Sequence, residues 1–251
     1  MIAGTRYESK YSLPIRPALR DACQRAWRRL VSAGTWLDAA TRRDVALETR
    51  AALDCELCAQ RKGAISPFAV DGKHATTTQL PDHLVECVHR IRTDSGRLSE
   101  RWYREQLDAG LSDAEYIEIV GVVATMAALD TFDLALGLPE FDLDPPVPGE
   151  PSRRRPDALV SDYAWVATVE PRFFSNQDDD PYPGKTPEQV FNINRALSLV
   201  PAECRGFFDL DDELYLPQYA IRDFTSDLRN LTHSQMELLA SRVAALNQCD
   251  Y

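Results

Sequence analysis

Cys55-Glu-Leu-Cys58 is the one motif in this 251-residue chain with reactive potential. Two thiols three residues apart on a helix share a face, close enough to close a disulfide in a redox cycle. A thiolate near a helix N-terminus has a lowered pKa, and its attack on a peroxide oxygen gives a sulfenic acid that the partner thiol resolves. The first proton needs a base, and a carboxylate or histidine within reach is the usual supplier. Two plainer readings stand beside this one. Buried cysteines act as small apolar residues, and a zinc site would need two more ligands at a familiar spacing, of which none is obvious. Neither a metal nor a cofactor is therefore expected. Cys23, Cys87 and Cys204 stand alone in the sequence and read as structural thiols.

The elements that must position the pair read as helices. Ser112-Asp-Ala-Glu115 is a capping box, in which both side chains satisfy orphan amides at a helix start. The helix it opens is apolar nearly all round after Glu118, so it belongs at the centre of a bundle, and Gly137-Leu-Pro139 stops it. A second helix is expected over 97–108. Thr186-Pro187 signals another start, with an end near Val200-Pro201, and Thr232-His-Ser-Gln235 begins a last helix. No run of alternating strands is present, and the fold class is all-α.

Ten of the 16 prolines lie between Pro139 and Pro187, which rules out regular helix there. The flanks share a short repeat. Ala51-Ala-Leu53 aligns with Ala244-Ala-Leu246, which sets Asp44 against Glu237, and each copy runs from a carboxylate through apolar helix to a cysteine, Cys55 or Cys249. The organisation read from this is an N-terminal helical arm (1–36), a helical module with the cysteine pair (37–139), a proline-rich acidic linker (140–187) and a second, truncated helical segment (188–251).

Acidic residues outnumber basic ones 39 to 28, for a net charge of −11. That balance disfavours nucleic-acid partners, which need a basic face, and anionic membrane surfaces. No secretory leader or spanning segment is evident, and a cytoplasmic protein is expected. There a close cysteine pair reads as redox or metal chemistry rather than a structural disulfide.

The pattern carboxylate, apolar helix, Cys-x-x-Cys resembles the alkyl hydroperoxidase D and carboxymuconolactone decarboxylase superfamily. The stretch from Gly110 to Pro139 resembles the helix that follows the active site there, and Leu231 to Tyr251 resembles the lead-in to a second site. The resemblance covers roughly residues 37–139 and 188–251. It implies an all-helical homo-oligomer and, in the peroxidase branch, a relay of glutamate and histidine serving two cysteines. Carried over, it makes Cys58 the peroxidatic thiol and Cys55 the resolving one. It puts Asp44 in the glutamate's place, with Glu48 a substitute one turn on. Lys62 stands where the family has histidine. A lysine can stabilise a thiolate but shuttles protons poorly at neutral pH. His83 and His89 are alternative bases on the following segment, although both read first as surface or packing histidines. His233 reads as a capping-region residue.

The expected function is thiol-dependent reduction of a small-molecule hydroperoxide, recycled by a thiol reductant. The alternative is a non-catalytic oligomeric helical protein of the same ancestry, suggested by Lys62 and by the incomplete second site. Lactone decarboxylase chemistry ranks last, because the histidines it uses are missing.

Overall fold

The computed structural model describes residues 6–7, 14–161, 164–174, 176, 178–247 and 249. Its axis is α6 (Asp113–Ala135), which begins at the expected capping box: the Glu115 carboxylate accepts from the Ser112 amide at 3.0 Å, and Ser112 Oγ accepts from the Glu115 amide at 3.2 Å. Because α6 is apolar on nearly every face, four helices cover it: α1 (Pro17–Leu30), α2 (Ala39–Ala51), α4 (Asp82–Asp94) and α8 (Pro201–Leu214). Ile119, Val122, Met126 and Leu129 of α6 have no exposed surface. Between them α1 lies against α8, and α2 against α4. α5 (Glu100–Asp108) adds Trp102 and Tyr103, whose rings meet Tyr116 of α6 edge-on at 6.3 and 5.0 Å. The fold is all-α, and among the described residues no helix is long and apolar enough to cross a membrane.

Three expectations are corrected in detail. Two short strands do form, β1 (Leu159–Val160) antiparallel to β2 (Thr168–Val169); at two residues each they are too short for alternation to register in a sequence. The helix expected from Thr186 to Val200 is broken. Thr186 and Gln189 make the reciprocal cap, but only a 3₁₀ turn over Pro187–Gln189 follows, then the single turn α7 (Asn192–Arg195). Pro201 opens α8 instead of closing the preceding helix, since a proline at the first helical position loses no hydrogen bond.

Between α6 and Pro187 there is no helix among the described residues, as the prolines require. This stretch is laid along the helical body: the Val147 amide donates to the Val31 carbonyl at 2.7 Å, and the Arg153 amide to the Thr35 carbonyl at 2.8 Å. The last helix, α9 (His233–Leu246), starts at the expected Thr232–Gln235 box, yet His233 is its one buried residue. Leu238, Leu239, Val243 and Leu246 are exposed, and Glu237, aligned by the repeat with Asp44, accepts a hydrogen bond from Tyr215. In the N-terminal arm α1 begins at Pro17, and residues 1–5 and 8–13 lie outside the described residues. So do 248, 250 and 251, and with them the chain end.

A buried ion-pair triad joins α2, α6 and α8. Arg42, 2% exposed, reaches Glu118 and Glu203, each at 2.6 Å. Glu118 also accepts from the Trp36 amide at 2.7 Å and the Leu37 amide at 3.3 Å, which ties down the turn before α2. That turn passes so close that a Cβ at Gly34 would collide with the Glu118 carboxylate. One guanidinium serves two buried carboxylates, and burial pushes the Glu118 carboxyl up against the pull of Arg42. Truncating one partner of such a group leaves buried charge uncompensated. Arg42→Met is expected to cost about 3–5 kcal/mol in urea denaturation; a loss below about 1 kcal/mol, the size of a surface pair, would show that the triad does not hold these helices together.

Candidate functional site

α2 ends at Ala51, and a 3₁₀ turn (Ala52–Asp54) carries the chain to Cys55. Cys55 is extended (φ −76°, ψ 117°) and caps α3 (Glu56–Gly63), whose first turn holds Cys58. The two cysteines are therefore not successive positions of one long helix, as the spacing suggests. Cys55 stands just outside a helix N-terminus and Cys58 just inside it, where the backbone amides and helix dipole favour a thiolate.

Two histidines converge on the sulfurs. His74 Nδ1 lies 3.4 Å from both Cys55 Sγ and Cys58 Sγ, and His89 Nδ1 lies 3.3 Å from Cys58 Sγ. The imidazole rings meet edge-on with centroids 4.4 Å apart. Each ring is anchored at its other nitrogen. His89 Nε2 donates to Glu48 at 2.9 Å, with both side chains fully buried. His74 Nε2 donates to Glu86 at 2.7 Å, and Glu86 also accepts from Arg61 at 2.7 Å and from the Trp102 indole at 3.3 Å.

Glu48 explains why His74 is here. Its Oε1 accepts from Thr76 Oγ1, from Thr78 Oγ1 at 2.7 Å, and from the Thr77 and Thr78 amides at 3.0 and 2.9 Å. One buried carboxylate thus holds the segment that follows His74 while orienting His89. The site draws on α2, α3, α4 and the loop between the last two.

These contacts set the protonation states. Burial alone would raise the Cys58 thiol, but the hydrogen bonds and charge of His74 and His89 outweigh it and bring it down to about 6. The same balance lowers Cys55, with burial opposed by the Cys58 amide and by His74. Burial disfavours the His74 imidazolium, yet Cys58, Glu86 and Cys55 push it up to about 10. His89 is likewise raised by Cys58 and Glu48 against its burial. Glu86, despite burial, is drawn down to about 2 by His74 and Arg61. These shifts all favour the imidazolium–thiolate form over the neutral thiol and imidazole.

The residues singled out from the sequence fare unequally. Cys55, Cys58 and Glu48 meet in the site. Asp44 sits half-buried one turn before Glu48, and no hydrogen bond or ion pair among the described residues joins it to the cysteines or histidines; burial and the nearby Glu48 raise its carboxyl, against Arg43. Lys62 is exposed in the last turn of α3, and likewise nothing among the described residues joins it to either sulfur. His89, read first as a packing histidine, is the buried partner of Cys58. His74 was missed altogether, and with His89 it supplies the two ligand-type side chains whose absence argued against a metal. One signal pointed to it: the spacing C-x2-C-x15-H falls within the range that zinc modules use for their first three ligands.

No protein-family model matches this chain, and no curated protein or solved structure matches it either.

The thiolate of Cys58 is directly measurable. Burial pushes Cys23 and Cys204 up to about 12 and raises Cys87 further, so these three stay silent near neutrality. In a metal-free, reduced Cys55→Ser/Cys249→Ser background, which leaves Cys58 as the one thiol lowered by the histidines, the ultraviolet absorbance of thiolate is expected to rise with pH through a midpoint near 6. His74→Ala should move that midpoint toward the ordinary thiol value of about 8.5. A midpoint already at the ordinary value in the parent would mean that no imidazolium–thiolate pair forms.

Proposed function

We propose that this chain is a dithiol oxidoreductase that reduces small hydroperoxides at Cys58. One observation carries the reading: the unbroken hydrogen-bonded chain Glu48–His89–Cys58, with Cys55 alongside. A carboxylate that orients an imidazole, which in turn faces a nucleophile, is the arrangement that general-base activation requires. The resemblance of residues 37–139 to the alkyl hydroperoxidase D superfamily points the same way, with Glu48 rather than Asp44 as the carboxylate and His89 in the part that Lys62 does not fill.

The chemistry balances on the residues present plus one peroxide. The Cys58 thiolate attacks the terminal oxygen of ROOH. The O–O bond breaks, its electron pair leaves with RO⁻, and an imidazolium proton from His89 or His74 makes the alcohol. The product at Cys58 is a sulfenic acid. Cys55 Sγ then attacks the Cys58 sulfur, hydroxide leaves as water with a second proton, and a disulfide remains. The two thiols have supplied both electrons, and a thiol reductant restores them for the next turnover. Cys55 and Cys58 are only 1% and 3% exposed, so access of peroxide to the sulfur requires an opening at the site.

That low exposure also favours the second reading, a non-catalytic helical protein in which the pair is purely structural. One assay separates them. With chelator-treated, reduced protein, hydroperoxide consumption is expected, with the free-thiol count falling by two per chain. Cys58→Ser should abolish it, and Glu48→Gln should slow it by roughly 10²–10⁴-fold, the range for loss of general acid–base assistance. No consumption by the parent, or undiminished consumption by Cys58→Ser, would reject the peroxidase reading.

A further inference from the structure

We propose that the reduced chain binds one zinc ion through Cys55 Sγ, Cys58 Sγ, His74 Nδ1 and His89 Nδ1. These four atoms all lie within 4.8 Å of one another. Tetrahedral zinc with its usual bond lengths holds sulfur and nitrogen ligands about 3.6 Å apart. The three sulfur–nitrogen separations of 3.3–3.4 Å already lie within a few tenths of that.

The surroundings are those of a metal centre as well. A ligating histidine generally donates its second ring nitrogen to a carboxylate, which fixes the ring and turns the remaining lone pair toward the ion. Both histidines do so here, His89 to Glu48 and His74 to Glu86. The carboxylates are themselves held, Glu48 by the Thr76–Thr78 segment and Glu86 by Arg61 and Trp102. A redox dithiol needs one oriented base. A second carboxylate-anchored imidazole, aimed at both sulfurs, is surplus to that need and completes a ligand set.

Charge and ligand type select the ion. Two thiolates and two neutral imidazoles carry −2, which a divalent cation cancels in a place where uncompensated charge is costly. Calcium and magnesium require oxygen ligands, whereas a tetrahedral set of two sulfurs and two nitrogens suits zinc. The ligands come from the start of α3, the following loop and α4, so the ion would also pin the loop to the helices. Binding uses both thiolates and is therefore exclusive with their disulfide. The consequence that zinc silences peroxide reduction rests on the reading above; binding itself does not.

The test uses the full-length chain, reduced and anaerobic, titrated with Co²⁺ and then Zn²⁺. Expected are the visible bands of tetrahedral cobalt together with thiolate-to-cobalt charge transfer, saturating at one ion per chain and displaced by zinc. Zinc should also raise the melting temperature, because it binds only the folded site. Cys55→Ser and His74→Ala should abolish the cobalt spectrum, Glu86→Gln should weaken zinc binding about 10- to 100-fold, and Cys249→Ser should change neither. Circular dichroism checks that each variant is folded, and Glu86→Gln keeps all four ligands should an alanine variant unfold. A six-coordinate cobalt spectrum, a tetrahedral spectrum that survives in folded His74→Ala, or zinc affinity unmoved in Glu86→Gln would overturn the site. Because these readouts involve no peroxide, and the peroxide assay uses metal-free protein, failure of one leaves the other standing.

Discussion

The Glu48 carboxylate is the contact on which the site depends. It is fully buried, a position that is tolerable only when its lone pairs are filled, and five hydrogen bonds fill them. Four come from the Thr76–Thr78 segment and one from His89. Burial raises a carboxyl pKa, and here those bonds more than reverse the effect, so Glu48 stays ionised. The cost of burying that charge is offset by these partners, which ties the Thr76–Thr78 segment and His89 to one carboxylate. A carboxylate thus holds both the loop after His74 and the orientation of the His89 imidazole.

Glu48 can do this because α2 is held from its other side. Arg42 lies six residues earlier, about one and two-thirds turns and so on a different face of the helix, and reaches the axis helix and α8 through Glu118 and Glu203. One helix therefore presents a structural charge to the core and a chemical one to the cysteines. The triad couples residues 161 apart in sequence, which draws the chain's C-terminal third onto the body that carries the site.

The cluster of two sulfurs and two imidazole nitrogens is suited to two occupants. Protons on the imidazoles make an imidazolium–thiolate pair, the reactive form of a dithiol. In the proposed zinc site a divalent cation would take the place of those protons among the same four atoms. Either occupant would compensate two buried thiolates, and either would rely on the same two carboxylates behind the rings.

Much of this was legible in the sequence wherever short-range rules apply. The capping boxes at Ser112 and Thr232, the apolar run of α6, the helix-free proline stretch and the spacing of Cys55 and Cys58 all act over a few residues, so the chain itself determined them. Pro201 was misread because proline can end one helix or begin the next, and neighbouring residues alone do not decide which. The site's remaining parts were settled by tertiary structure. Nothing local distinguishes Glu48 from Asp44 one turn earlier; packing against α4 does, by placing His89 beside it. His74 lies in a loop without periodicity, and it reaches the sulfurs because Glu48, 26 residues before it, holds the threonines that follow. The sequence alone supplied the all-α class, the starts of α6 and α9 and the spacing of the cysteine pair. Which carboxylate and which histidines serve that pair was decided by contacts across α2, α3 and α4, because burial and hydrogen-bond geometry are properties of the assembled fold.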